Sequence, residues 1–334
     1  MSNDTNTVAL SFSSPDVASC RDAVVVCGVF DGLHTGHRQL ITQACDQAKQ
    51  HGKRCIILTF DIDPDELMRP ARTAKLMSNE ARLYALEHSG ADALAVMHFS
   101  RACAALSARA FLEHVFADSK PYAIHVGANF RFGAHASGDT AFLRSWCEER
   151  GIQVCVHALF EGEGGVVSAS RIRAALQAGD IPLAETLLGH SYELGARVQH
   201  GRAQGRTFGI QTANLHIPPA MMLLPEGVYA ARCTVDNSCQ APFYSACSCK
   251  KTWYKAAVSL GVSPTFNSDN SDASLCQAAL ANCEVHILDF SDDIYDAYVR
   301  VHCVRYLRAL QRFSSTDALI ACITNDIAQV KRLA

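Results

Sequence analysis

The chain lacks an excess of charge of either sign. Lys and Arg number 30 and Asp and Glu 33, a formal net charge of −3 over 334 residues. That balance excludes the broad basic face that duplex DNA, RNA or an anionic membrane demands. It leaves room for a local phosphate site made of a few amides, His and Arg. Long apolar runs are missing too. No stretch approaches 18 apolar residues, so no spanning helix is expected. The first 19 residues carry Asp4 and Asp16 but no Lys or Arg. They have neither the charged start nor the apolar centre of a secretory signal, and a soluble protein of a reducing cytoplasm is the expectation. Cysteine is plentiful at 15, an odd number, yet no C-x-x-C occurs. That absence argues against a zinc ribbon or a thioredoxin-like centre. The tightest pair, Cys247-Ser248-Cys249, fits no common ligand knuckle, and most other cysteines lie in apolar runs as small core residues.

What is present is an ordinary globular composition, 49% hydrophobic and 19% charged. The length favours two domains. Ala23–Cys27 and Arg54–Phe60 are continuous apolar runs of the kind found in strands buried on both faces. Between them Leu40, Ile41, Ala44, Cys45 and Ala48 fall on one helical stripe, closed by His51-Gly52. This is a βαβ unit, hence a parallel sheet. The alternation continues: helix near 79–88, strand 93–97, helix 108–116, strand 123–126, helix 141–149, strand 154–158. A doubly wound α/β domain is predicted. Short helices follow at 170–177 and 182–188. After Gly189 the period changes to strand-like segments at 192–200, 227–235, 253–260, 283–290 and 298–307, separated by Gly, Pro, Asn, Asp and Ser-rich loops. With no long helix between them, these predict a small antiparallel barrel, followed by a C-terminal helix from about Ser314. The boundaries read as a polar tail at 1–20, an α/β domain at 21–185 and a barrel domain at 186–334.

Gly28-Val29-Phe30-Asp31-Gly32-Leu33-His34-Thr35-Gly36-His37 joins the first strand to the first helix, at the sheet edge where open α/β folds bind ligands. Gly28, Gly32 and Gly36 let the backbone approach a phosphate. His37 opens the helix, where free amides and the positive dipole end attract anions. His34 and His37 can both donate to one triphosphate, with Phe30 and Asp31 in the same turn. The turn matches neither a P-loop nor a dinucleotide fingerprint. It suits in-line attack by a substrate phosphate on a nucleotide α-phosphate, the two His stabilising the developing charge.

This pattern resembles that of the nucleotidylyltransferase superfamily, and its surroundings resemble the bacterial bifunctional riboflavin kinase/FAD synthetase family. Thr59-Phe60-Asp61 with Pro64, Gly127–Gly133 with Gly138-Asp139, and Ser168-Ala169-Ser170-Arg171-Ile172-Arg173 are similar to that family's motifs in order. The family commonly carries Pro and His where this chain has Ile62 and Asp63. The resemblance implies phosphate binding by Ser168, Ser170, Arg171 and Arg173, and catalysis by Arg171 alongside the two His. It also implies flavin binding by Asn129, Phe130 and Phe132, although the two Phe are equally at home in a core.

The second half extends the resemblance. Gly201, Gly205 and Arg206 lie in a basic glycine loop that would cover ATP phosphates through its amides. Gln211-Thr212-Ala213-Asn214 resembles the kinase P-T-A-N motif with Gln for Pro. The resemblance gives Thr212 and Asn214 to Mg²⁺ and the ATP phosphates, Arg308 to flavin, and Glu284 to the general base for the ribityl hydroxyl. Spacing alone makes Glu284 an outward strand residue. The implied activity is riboflavin phosphorylation to FMN in the barrel and FMN adenylylation to FAD in the α/β domain, with ATP, riboflavin and FMN as substrates. No nucleic acid or membrane partner is implied. An adenylyltransferase with a weakened kinase, or a flavin-binding regulator without turnover, are the alternatives.

Overall fold

The computed structural model describes residues 6–10, 20–70, 74–116, 119–162, 164–199, 211–218, 220–236, 252–262 and 281–333. It divides into two compact units. One comprises Met1–Arg171 with Leu187–Gly189, the other Ile172–Thr186 with His190–Ala334.

The buried runs of the first half become strands of a parallel sheet because both of their faces are covered. Strands β1 (Asn6–Leu10), β2 (Val24–Cys27), β3 (Cys55–Phe60), β4 (Ala93–Met97), β5 (Ala123–Gly127) and β6 (Gln153–His157) stand in the order β1-β4-β3-β2-β5-β6, and every neighbouring pair is parallel. Strand β1 comes from within the segment read as a polar tail. Helix α1 (Thr35–Gln50) buries Leu40, Ile41, Ala44 and Ala48 against β2, β3 and β5. Helices α2 (Pro64–Met68), α3 (Asn79–Glu87), α4 (Arg101–Ala104), α5 (Ala108–Phe116) and α6 (Thr140–Glu148) follow. In one core cluster Val25, Ile56 and Ile124 pack with Phe111 and Leu112 of α5 and Trp146 of α6. Strand order reverses direction at β2, with β3 on one side and β5 on the other. The loop leaving β2 therefore opens at the switch point where such sheets hold ligands. A short hairpin, β7 (Glu161–Gly162) and β8 (Gly165–Val166), precedes α7 (Ala169–Gln177) and α8 (Ile181–Leu188).

In the second unit β9 (Glu193–Gln199), β10 (Ala213–Ile217), β11 (Gly227–Asp236), β12 (Tyr254–Val262), β13 (Ala281–Ile287) and β14 (Tyr298–Arg308) close a barrel in the order β10-β13-β12-β11-β14-β9. All pairs are antiparallel. Strand β10 is an element the sequence pattern did not set apart from its motif. Alternation sends Leu215, Val258, Cys283, Val285 and Val301 inward, all at most 1% exposed. Helix α9 (Thr316–Leu333) packs Val330 against Ala230 and Leu288. Its Asp326 is 3% exposed and is held by Arg308, whose Nη2 lies 2.7 Å from Oδ2 while Nε contacts both carboxylate oxygens at 3.1 Å.

Candidate active sites

The glycine–histidine turn is built from left-handed backbone. Phe30 has φ 63°, Gly32 73° and Leu33 37°, and such strain in side-chain-bearing residues persists where surroundings enforce it. The surroundings here are buried. Phe30 is 2% exposed, and a Cβ on Gly28 would lie 2.8 Å from its ring. The Asp31 carboxylate accepts from the amides of Leu76 at 3.0 Å and Met77 at 3.2 Å and so fixes the turn. Gly32 has Leu76 at 2.8 Å from its would-be Cβ, which leaves no space for a side chain.

His34 is the N-cap of α1. Its Nδ1 accepts from the His37 amide at 3.3 Å. That bond places the proton of the neutral ring on Nε2, so Nε2–H is the free donor. The His34 and His37 rings stack with centroids 3.6 Å apart, and Phe30 meets His37 edge-on at 5.3 Å. Burial lowers His34 to about 4; burial and the proton of His34 hold His37 well below the ordinary 6.5. Both are neutral at pH 7 until an anion beside them raises their affinity for protons. Nδ1 of His37 is buried with no hydrogen-bond partner among the described residues.

One further segment meets this turn, and two others carry the remaining residues of the motif set. Phe160 lies 3.1 Å from the Cβ that Gly36 does without, bringing the segment that leads into the β7–β8 hairpin against the turn. Arg171 folds onto that hairpin, Nη1 donating to Gly165 O at 3.0 Å, and its amide donates to Ser168 Oγ at 3.3 Å, so Ser168 caps α7. Ser170 is exposed and Arg173 half-buried on the same helix. The Asn129 loop is tied to the end of β6 by the Ala128 amide on His157 O, 2.8 Å. Asn129 is exposed, whereas Phe130 and Phe132 stack at 5.4 Å and join the α5–α6 core, Phe132 at 7% exposure. Of this trio Asn129 is exposed, Phe130 half-buried and Phe132 buried. Gly133 and Gly138 give it shape: a Cβ on the first meets Ala108 backbone at 2.7 Å, and on the second the Phe132 ring at 2.6 Å. Asp139 caps α6 by accepting from Phe142 N at 2.9 Å.

Two structural devices were not read from the sequence. Arg82, 1% exposed, donates to Val29 O at 3.0 Å, Thr59 Oγ1 at 2.9 Å and Phe60 O at 2.8 Å. It binds the β2 and β3 ends together behind the turn. Asp63, where the family commonly has His, caps α2 in a capping box with Glu66, which Lys75 and Asn79 hold at 2.8 Å each. The departure thus has a local structural use.

The buried rings make stability depend on pH. Burial also lowers His125, 3% exposed, to about 4. Unfolded, His34 and His125 take up protons near 6.5; folded, only near 4. Their support is full above pH 6.5 and is lost as pH falls toward 4, on the order of 3 kcal/mol each. Thermal unfolding from pH 7.5 down to 4.5 is expected to show a falling midpoint. A flat midpoint would mean that the folded rings already carry protons.

In the barrel, Thr212 and Asn214 line a cavity of about 190 Å³ together with Ser291, Asp292, Asp293 and Tyr295. The sequence reading singled out the first pair only. Glu284 stands directly opposite Asn214 across the β10–β13 ladder. Their side chains share the outer face, and Glu284 is exposed. Gln211, the Pro departure, is held by His286, whose Nδ1 lies 2.7 Å from its carbonyl. Arg308 is engaged by Asp326 at the end of β14. Gly201, Gly205 and Arg206 lie outside the described residues.

Family models described as FAD synthetase and riboflavin kinase match residues 16–171 and 188–334. A bifunctional riboflavin kinase/FMN adenylyltransferase of Pseudomonas fluorescens is 30% identical over 94% of each chain. That of Escherichia coli K12 is 32% identical over 91% of this chain and 90% of its own. A crystal structure described as a macrolide-efflux protein from Streptococcus pneumoniae has TM-score 0.78 at 26% identity, covering 98% of this chain and 99% of that one. Among the described residues no helix is long and apolar enough to cross a membrane.

Proposed function

The chain belongs to the bifunctional riboflavin kinase/FMN adenylyltransferase family, and we propose which of its residues carry each reaction. The enzyme phosphorylates riboflavin to FMN in its barrel and adenylylates FMN to FAD in its α/β unit, each with ATP. The observation that carries the assignment of the first site is the stacked pair of buried His34 and half-buried His37 at the mouth of a strained turn and the start of α1.

In the adenylylation, a phosphate oxygen of FMN attacks the α-phosphorus of ATP in line, and pyrophosphate leaves. Nε2–H of His34 donates to the oxygen on which charge grows, with His37 beside it. Phe30, Asp31 and Arg82 keep the two rings in register. Arg171 and Arg173, with Ser168 and Ser170, bind the β- and γ-phosphates as they become pyrophosphate. Asn129 hydrogen-bonds the flavin; Phe130 and Phe132 support its loop from the core.

In the phosphorylation, Glu284 takes the ribityl hydroxyl proton as the γ-phosphoryl group is transferred. Thr212 and Asn214 would hold Mg²⁺. Their oxygens, in a cavity shared with Asp292 and Asp293, fit a hard cation, which when bound neutralises phosphate charge. Arg308, oriented by Asp326, faces the flavin. We place both reactions in the cytoplasm, where described cysteines stay as the free thiols seen here, with no nucleic acid or membrane partner. Purified enzyme given riboflavin, ATP and Mg²⁺ is expected to yield FMN and then FAD on chromatography. FAD from supplied FMN with none from riboflavin would select an enzyme with an idle barrel, and bound flavin without product would overturn both.

A further inference from the structure

Neither reaction has a place for the cysteines. Burial pushes the thiols of Cys27, Cys147, Cys233, Cys283 and Cys303 up, which keeps them protonated and unreactive. One pair stands apart by geometry. Sγ of Cys45, on the third turn of α1, lies 3.0 Å from Sγ of Cys55, the first residue of β3. The two sulfurs touch across the helix–strand packing, ten residues apart in sequence. Cys55 is 1% exposed; Cys45 is half-buried. Sγ of Cys45 also contacts Gly90 O at 3.7 Å, and the Cys55 amide donates to Asp92 Oδ2 at 2.7 Å, so both residues are held in place.

The asymmetry assigns roles. The Cys55 thiol and Lys49 draw Cys45 below the usual thiol range, against the pull of burial, Asp92 and Asp46. Contact with Cys45 and burial push Cys55 up. The outer sulfur is therefore the one that ionises, and the inner one waits behind it, the arrangement of an attacking and a resolving cysteine.

We propose that Cys45 and Cys55 form a reversible dithiol–disulfide site that responds to hydroperoxides. The Cys45 thiolate attacks one peroxide oxygen; the O–O bond breaks, and the departing oxygen takes a proton and leaves as water or an alcohol. Cys45 is then a sulfenic acid. The Cys55 sulfur attacks the Cys45 sulfur, the S–OH bond breaks, and the hydroxyl leaves as water with the Cys55 proton. Two thiols lose two electrons and the peroxide gains them. The bond would tie α1, whose N-cap is His34 and whose first turn holds His37, to β3. In a reducing compartment such a bond is transient and sensory in kind. The inference does not depend on the flavin chemistry.

The full-length enzyme, treated with hydrogen peroxide, alkylated and digested with trypsin, tests it by mass spectrometry. Tryptic peptides 39–49 and 55–72, the second running through the trypsin-resistant Arg69–Pro70 bond, each carry a single Cys. They are expected as one linked species, two hydrogen masses below their sum and separated by dithiothreitol. With Cys55→Ala the link is lost and dimedone captures Cys45 as a sulfenic acid; with Cys45→Ala neither link nor adduct forms at residue 55. Full alkylation of both thiols in oxidised wild-type enzyme would overturn the proposal, and so would dimedone on Cys55 ahead of Cys45. The wild-type digest decides even if a variant misfolds.

Discussion

Replacing His34 by Ala is expected to lower FAD formation from FMN by a factor of about 100–1,000, the usual cost of one donor aimed at developing phosphate or oxyanion charge. FMN formation from riboflavin by the same preparation should stay near the wild-type rate. The residue does two jobs, and the substitution removes both. Its Nδ1 caps α1 through the His37 amide, and loss of a cap costs about 1 kcal/mol; its Nε2–H is the donor. His34→Asn separates them, because Asn is a good N-cap but places no donor where the imidazole ends. The expected result is an Asn variant that melts close to wild type and still makes little FAD, by initial rates on supplied FMN. An Asn variant with wild-type FAD synthesis would show that the imidazole serves only the helix.

That distinction marks what could be read from the sequence and what could not. The apolar runs at β2 and β3 announced a parallel sheet because both faces of those strands are covered, and the glycines and histidines between them announced an anion site. The tautomer of His34 was invisible, since it depends on an amide three residues on. Arg82 read as one helical residue among others; only folding places it between Val29, Thr59 and Phe60. Strand β1 escaped because five residues in a polar segment carry too little periodicity to count. Phe130 and Phe132 were ambiguous by composition; Phe132 is buried among α5 and α6, while Phe130 packs there only half-buried. In the barrel, alternation gave the strands and their inner faces, but not their register. That Asn214 faces Glu284, 70 positions away, follows from ladder pairing that no local pattern encodes.

The same pairing makes Glu284→Gln the second large effect. Asn214 and Glu284 are direct neighbours on one face, so the carboxylate stands beside the residue assigned to the metal-bound phosphates, where a hydroxyl must lose its proton. Gln keeps the shape and the β-strand setting but cannot accept that proton. FMN formation is expected to fall about 100–10,000-fold, the span of general-base contributions, in kcat rather than in the KM for riboflavin. FAD formation from supplied FMN should not change. Stability should not change either, because Glu284 is exposed and surface substitutions away from special contacts shift it by roughly 0.5 kcal/mol or less. A Gln variant that phosphorylates riboflavin at the wild-type rate would return Glu284 to the role of a solvent-facing strand residue. If His34→Asn and Glu284→Gln each removed both activities from folded enzyme, the separation of the two reactions between the two units would be wrong. The opposite pattern, each variant losing one activity and sparing the other, is what two sites of such different construction require: one made of strained turn and buried imidazole, the other of barrel ladder and exposed carboxylate.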